Sequence, residues 1–351
     1  MTISDRILGK KNVNGKPHID SVIPGAALPG GEVSILGSAL KPPAHHLPTV
    51  LFNESPGSIV ISSDDFVIAR VPDGATSGPV VVSAGGHSSN GQDVRVGALI
   101  AENMHPVTNP AVDAQGNIFV TFSGSRGQKV PVSIYKVDTD YNVKPFLTEM
   151  MNATCIAFDR AGGMFVSSRF DGTVYRVAAN GTMATYAEGM GVATGIAFDQ
   201  DGNLYVGDRS GTIFKIDRNR EIFVFATLEP SVSAYHLVFS NSGDLFVTGP
   251  TTSSFDAVYR VDPHGKVTEF YRGLGRPQGL AFDTEGNLYV AGSLKGKRGI
   301  IKLTSDAQAS LAVSGHGIVG MCFAPGKAAI ISTISAVHYL AWGIEGKPLF
   351  G

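Results

Sequence analysis

Six residues recur at one fixed place, four positions ahead of the Phe or Val that precedes a repeated turn. They are Thr108, Thr154, Thr194, Tyr235, Gln278 and Val319, and their next neighbours are Asn109, Cys155, Gly195, His236, Gly279 and Gly320. His236, with Tyr235 beside it, has the type for a general base or a ligand donor. The plainer alternative is a histidine satisfied by backbone carbonyls. His105 and His316 fall on loops predicted to share its side, and three histidines can hold a soft metal. No HxH or HExxH spacing supports that, so no metal or cofactor is expected. Arg169 follows FVSS, and Asp208 with Arg209 follows YVG. They read as ligand-binding groups or as a solvated surface ion pair.

No nucleophile or nucleotide motif accompanies them. GHSSNG, residues 86–91, is Ser-rich but is not GxSxG. GLGRPQG, residues 273–279, misses the GxGxxG spacing and precedes a strand instead of a helix.

The candidates inherit their spacing from a repeat. AVDAQGNIFV, AFDRAGGMFV, AFDQDGNLYV, VFSNSGDLFV and AFDTEGNLYV start at Ala111, Ala157, Ala197, Val238 and Ala281, with a worn copy, CFAPGKAAII, at Cys322. A period of about 42 residues with strand chemistry throughout predicts the blades of a β-propeller. The Asp carboxylate can accept turn N–H groups, and the glycine supplies the positive φ of the hairpin. Two more strands follow each motif, giving four per blade and six blades. The last copy lacks an outer strand. VTEFYRGLGRPQGLAFD and GALIAENMHPVTNPAVD place an outer segment at the same distance from the turn Asp. Residues 98–102 are therefore expected to close the last blade. The innermost strands start at the channel mouth. Thr108, Asn109, Thr154, Thr194, Tyr235, His236 and Gln278 are expected to face it, with Arg169, Asp208 and Arg209 on loops of the same side.

Residues 17–96 lack the repeat. Short strands such as EVSIL, SIVIS and PVVVS between Gly/Pro/Ser turns predict a small β-sandwich. Hydrophobic residues make up 43% of the chain and charged ones 17%, enough apolar surface for large cores. The net charge of −2 and the lack of a basic run argue against nucleic acid as a partner. No apolar run is long enough to span a bilayer. Residues 1–16 form an N-terminal extension with no apolar signal region, so a cytoplasmic location is expected. Cys155 and Cys322 lie in apolar runs and read as buried free thiols.

Pro24, Pro29-Gly30-Gly31, Ile35-Leu36-Gly37, Val71-Pro72-Asp73-Gly74 and Ser77-Gly78-Pro79-Val80 resemble an IPT/TIG immunoglobulin-like domain. That resemblance implies a spacer or binding module, and an exported or cell-surface protein as the alternative location. Residues 98–351 resemble NHL-type propellers and the senescence-marker/gluconolactonase-like superfamily, through the DxxGNLYV turn. The latter resemblance implies a divalent metal held by carboxylate and Asn oxygens at the channel mouth. None of the six mouth positions carries Asp or Glu, and hard cations need such oxygens.

The sequence thus predicts an all-β protein: an N-terminal immunoglobulin-like β-sandwich, residues 17–96, plus a C-terminal six-bladed β-propeller, residues 97–351. The expected function is non-catalytic binding at the channel face, of a protein, glycan or small anionic ligand. The alternatives are a lactonase-like hydrolase or lyase with a remodelled site, in which His236 is the catalytic candidate, and a purely structural module. The loops expected at the mouth carry Arg126, Lys129, Arg169, Arg209, Lys295, Lys297 and Arg298 against Asp171, Asp208 and Asp256. That excess of cations on an acidic chain points to an anionic ligand. The oligomeric state is left open.

Overall fold

The computed structural model describes residues 15–42 and 46–347, and every regular element among them is a β-strand. Residues 1–14 of the expected extension lie outside the described residues. The chain divides into two compact units, Met1–Ala98 with Val313–Gly315, and Leu99–Ala312 with His316–Gly351.

In the first unit, His18–Ile23 pairs with Glu32–Ser38, which pairs with Phe66–Arg70, which pairs with Ser55–Ser62. The start of Ser55–Ser62 also pairs with Thr49–Phe52, and Gly78–Ala84 lies between Thr49–Phe52 and Gln92–Val96. Alternate residues of both groups meet in one core: Ile19, Val33, Ile35 and Val67 from the first, Val50, Phe52, Val80 and Val94 from the second. The opposite positions face outward, the period-two pattern of a half-buried strand.

The second unit is a propeller-like arrangement of successive antiparallel sets. Ala111–Val112, Ile118–Thr121, Ile134–Val137 and Val143–Leu147 form one four-stranded sheet. Ala153–Phe158, Met164–Ser168, Thr173–Val177 and Met183–Ala187 form the next, followed by Ala193–Phe198, Leu204–Asp208, Thr212–Ile216 and Ile222–Thr227. Two further sets run from His236 to Gly275 and from Leu280 to Ser314, joined where Leu274 pairs with Leu294. The final sheet contains Ile318–Ala324, Ala328–Thr333 and Ala336–Leu340. Its outer strand, Ala98–Glu102, comes from the other end of the unit.

The repeated turn is built from its own side chains. Asp199 Oδ1 accepts the N–H groups of Asp201 and Asn203 at 2.9 and 2.8 Å, and its Oδ2 accepts Asn203 Nδ2 at 2.7 Å. Asp113 and Asp283 hold their turns in the same way, and Asp159, which faces Gly163 in place of Asn, keeps the backbone bonds alone. Gly202 turns the chain at φ 81°. In the fourth copy, which has Ser in place of Asp, Ser240 Oγ replaces the carboxylate and accepts Asp244 N–H at 3.1 Å.

Two devices tie neighbouring sets together. The aromatic residue of each second strand meets the Phe that ends the next set's first strand, edge to face. The pairs are Phe119–Phe158, Phe165–Phe198, Tyr205–Phe239, Phe246–Phe282 and Tyr289–Phe323, with centroids 4.9–5.8 Å apart. Hydroxyls of the second strands also donate to carbonyls of the next first strand: Thr121 and Ser167 to Thr154 and Thr194, Thr248 to Gln278 at 2.5 Å. Ser332 donates to Thr108 O at 3.1 Å, joining the last set to the first.

Removing the turn carboxylate strands several N–H groups. Asp199→Ala should destabilise the protein by about 1–3 kcal/mol, and Asp199→Asn, which keeps one acceptor oxygen, by less. Denaturant unfolding measures both, and equal stability of Asp199→Ala and the parent would refute this account of the repeat.

Candidate functional site

The first strands start where the mouth of the arrangement was expected, but their hydroxyls do not face it. Thr108 Oγ1 donates to Thr154 O at 2.6 Å, Thr154 Oγ1 to Asn152 O at 2.9 Å, and Thr194 Oγ1 to Gly207 O at 2.8 Å. All three residues are fully buried. At Thr154 and Thr194 the cause is local: the pairing register shifts between Ala153 and Ile156 and between Ala193 and Ile196, as it does around Val319, between Ile318 and Gly320. A bulge re-aims the side chains beside it, so strict alternation fails at these residues.

Asn109 does reach the channel, but as a strut. Its Nδ2 donates to Leu280 O and its Oδ1 accepts Met321 N–H, both at 3.0 Å. Gly279 and Gly320 make room for it, since a Cβ on either would collide with Asn109. Tyr235 is buried, and its hydroxyl donates to Glu229 O. Its ring fills the space where a Cβ on Gly249 would stand. Gln278 is half-buried, and its backbone is engaged by Ala291 O and by the Thr248 hydroxyl.

His236 is buried, and its Nε2 has no hydrogen-bond partner. Burial pushes its pKa from 6.5 down to about 3, so the imidazole is neutral at ordinary pH. Such a group is a poor proton acceptor. His105 is exposed and packs edge to face on Phe122, and His316 is exposed. The structure does not gather the three histidines into one site. Among the described residues no group of three or more His, Cys, Asp or Glu is placed to hold a metal ion. The mouth donors are hydroxyls already bound to backbone, so they do not fit the hard cation that the lactonase resemblance implies.

The charged candidates behave differently. Arg169 and Arg209 occupy the same place in successive sets, one residue past the second strand. Each sends one guanidinium NH2 to a backbone carbonyl, Gly124 O at 2.6 Å and Val232 O at 3.0 Å, and each leaves a buried Nε without a partner. Burial, then the like charges of Arg209 and Arg126, lower the pKa of Arg169. Asp208 forms no ion pair with Arg209. It is buried, with Val192 N–H on Oδ1 at 2.8 Å and the Ser210 hydroxyl on Oδ2. Asp256 is likewise withdrawn, onto the Thr251 amide and hydroxyl. Asp171 accepts Thr173 N–H and Tyr175 Oη. The acids of these loops are turned to local structure, with Asp256 Oδ2 buried and unpartnered, and the arginines are left without carboxylate partners among the described residues.

A second feature lies at the opposite end of the first strands. A cavity of about 140 Å³ is lined by Ile156, Phe198, Leu237, Phe282 and Met321, with Cys155 and Cys322 in its wall and Lys347 at its rim. Both thiols are free and buried, and burial raises their pKa values. The sequence held a signal for this cavity that position-by-position reading missed: a small residue, Ala157, Ala197 or Ala281, stands before the Phe of three copies.

A family model described as strictosidine synthase-like, N-terminal, matches residues 195–216. No curated protein matches the chain. Among solved structures the chain is similar to a putative gluconolactonase, at 15% identity and a TM-score of 0.58 over 72% of this chain and 94% of that one. It is also similar to an auxiliary nutrient-binding protein from Bacteroides ovatus, at 12% identity and 0.56 over 94% and 99%. A catalytically inactive virginiamycin B lyase variant from Staphylococcus aureus matches at 14% and 0.51, over 94% and 97%. These likenesses support a strictosidine synthase- and gluconolactonase-like propeller fold, and binding and hydrolase readings are both compatible with them.

The buried imidazole has a pH signature. The unfolded chain protonates this histidine near pH 6.5 and the folded chain only near 3. Its stabilising contribution is therefore full above pH 6.5 and is lost as pH falls through that window, at about 1.4 kcal/mol per pH unit. His338 shifts in the same direction. His236→Leu should flatten the acid limb by one proton's worth in denaturation at pH 7 and pH 4.5. An unchanged limb would show that His236 does not titrate in this way.

Proposed function

We propose that the protein is a non-catalytic binder of an anionic ligand, gripped on the loops that carry Arg126, Arg169 and Arg209. In this reading the successive sets are six blades of one closed, NHL-like propeller. The first unit is an IPT/TIG-like immunoglobulin sandwich acting as a spacer or attachment module. The single observation that carries the proposal is the arginine group. Two guanidinium groups, each with a buried donor unused, crowd with a third, while Asp171, Asp208 and Asp256 accept hydrogen bonds from nearby amides and hydroxyls and pair with none of the arginines. Like charges held together are costly alone and are relieved by an anion between them. Arginine grips carboxylate or phosphate through paired N–H donors. An acidic sugar, small or as the end of a glycan, offers such carboxylates.

The likeness to nutrient-binding and lyase structures does not choose between binding and turnover. The groups at the first strands do weigh in: the hydroxyls donate to carbonyls and His236 is held neutral.

Calorimetry with glucuronate, galacturonate and sialic acid at low and moderate salt tests the reading. Binding should weaken with salt, and Arg169→Ala with Arg209→Ala should cost at least tenfold in affinity, the loss expected for charge-assisted hydrogen bonds of about 1.5–3 kcal/mol. The assignment fails if none of the acids binds or if the double variant binds as the parent does.

A further inference from the structure

The cavity at the turn end is independent of the arginine loops, and three observations say what it would take. The first is size. About 140 Å³ is smaller than a site for a drug-sized ligand, which is roughly 300–1,000 Å³. It is close to the engineered apolar cavity of about 150 Å³ that accepts benzene. The occupant is therefore a body of one ring or one short branched chain.

The second is what keeps the space open. Ala157, Ala197 and Ala281 stand on its wall where larger residues would fill it, and Ala157 and Ala197 remain only partly covered. Around them most of the lining is aliphatic and aromatic, a surface whose removal from water by an apolar body is favourable, and Asn109, Arg160, Asp199 and Gln200 are its other polar members beside Lys347.

The third is the rim. Lys347 Nζ donates to Phe239 O at 2.8 Å and to Ser240 O at 3.0 Å, two neutral acceptors. An ammonium has three donors, so one is left over. Among the described residues no acidic side chain forms an ion pair with it. Burial lowers its pKa, the mark of a cation short of compensation. The backbone fixes its place, for Lys347 N–H donates to Phe282 O at 2.9 Å and Gly346 bridges to Asp283.

We infer that this cavity binds a compact apolar monocarboxylate, with its ring or branched chain among Ile156, Leu237, Phe282 and Met321 and its carboxylate on Lys347 Nζ. The site is distinct from the arginine loops and does not depend on them.

A reporter is built in. Trp342, the sole tryptophan, stacks on Phe323 with centroids 6.0 Å apart, and Phe323 lines the cavity. Phenylacetate, with phenylacetamide as its neutral isostere, can be titrated into the full-length protein by Trp342 fluorescence and by calorimetry. Phenylacetate should give a saturable change and bind at least tenfold tighter than the amide. Lys347→Met should abolish that preference. Ala197→Phe should abolish binding of both probes by filling the space, and Ala281→Leu should do so if the first variant does not fold. The Arg169→Ala, Arg209→Ala variant should bind phenylacetate like the parent, which separates this site from the arginine one. The inference is overturned by any of three results: no saturable binding, a carboxylate preference that survives Lys347→Met, or undiminished binding in a folded cavity-filling variant.

Discussion

A four-stranded sheet that is apolar on both faces cannot stand alone, and the second unit is organised by the need to cover those faces. The edge-to-face aromatic pairs meet that need at each junction. Such pairs contribute about 0.5–1.5 kcal/mol beyond the area they bury, and they prefer one geometry. They therefore set the spacing of neighbouring sets as well as their attachment. The last junction lacks a pair at that position, and its edge-to-face contact is instead Tyr141 on Tyr339, with centroids 6.0 Å apart. There Val112 and Ile330 share an aliphatic cluster with Ala101 and Val337, and Ser332 supplies the directional bond to Thr108 O. The same Phe residues that close the junctions also end the first strands. Packing the junctions thus leaves an apolar cavity at that end as a geometric remainder.

Legibility followed the range of the interactions. The turn is local: Asp, Gly and Asn lie within five residues and bond to one another, so its chemistry can be read in one copy and confirmed by the next. Arg169 and Arg209 were found for the same reason, because their place is counted from the repeat. The direction of Thr108, Thr154 and Thr194 was not legible. For Thr154 and Thr194 it depends on register shifts at the start of the strands, and for Thr108 on the carbonyl of Thr154, 46 residues away, neither of which leaves a mark in the local pattern. Asn109 shows the limit plainly. Its partners are Leu280 and Met321, and nothing at position 109 announces them. Lys347 was missed likewise, since its role arises from where the final segment crosses other strands.

The two ends of the first strands offer ligands opposite environments. At the strand starts the acids are absorbed by turns and loops while the arginines stay partly solvated, so the net field is positive and long-ranged. That suits capture of a soluble anion and sensitivity to salt. At the turn end the walls are mostly apolar, and Lys347, Arg160 and Asp199 are the charged residues that line them. There a carboxylate alone would gain little without a body to fill the space. On the two readings proposed above, size and apolar content select the ligand at this end, and charge selects it at the other.

The protonation states argue further for binding over acid–base turnover at the strand starts. A general base works best with a pKa near the working pH. Burial moves His236 well below it and moves the Cys155 thiol upward, away from the thiolate that would react. The threonine hydroxyls donate to backbone carbonyls, so none presents its proton to a neighbouring base. What remains charged and reachable is guanidinium, which stays protonated throughout the working range and holds an anion without exchanging a proton with it. Desolvation has made the inner side chains chemically quiet while the loops around them keep the charge, and that division is what a binding surface requires.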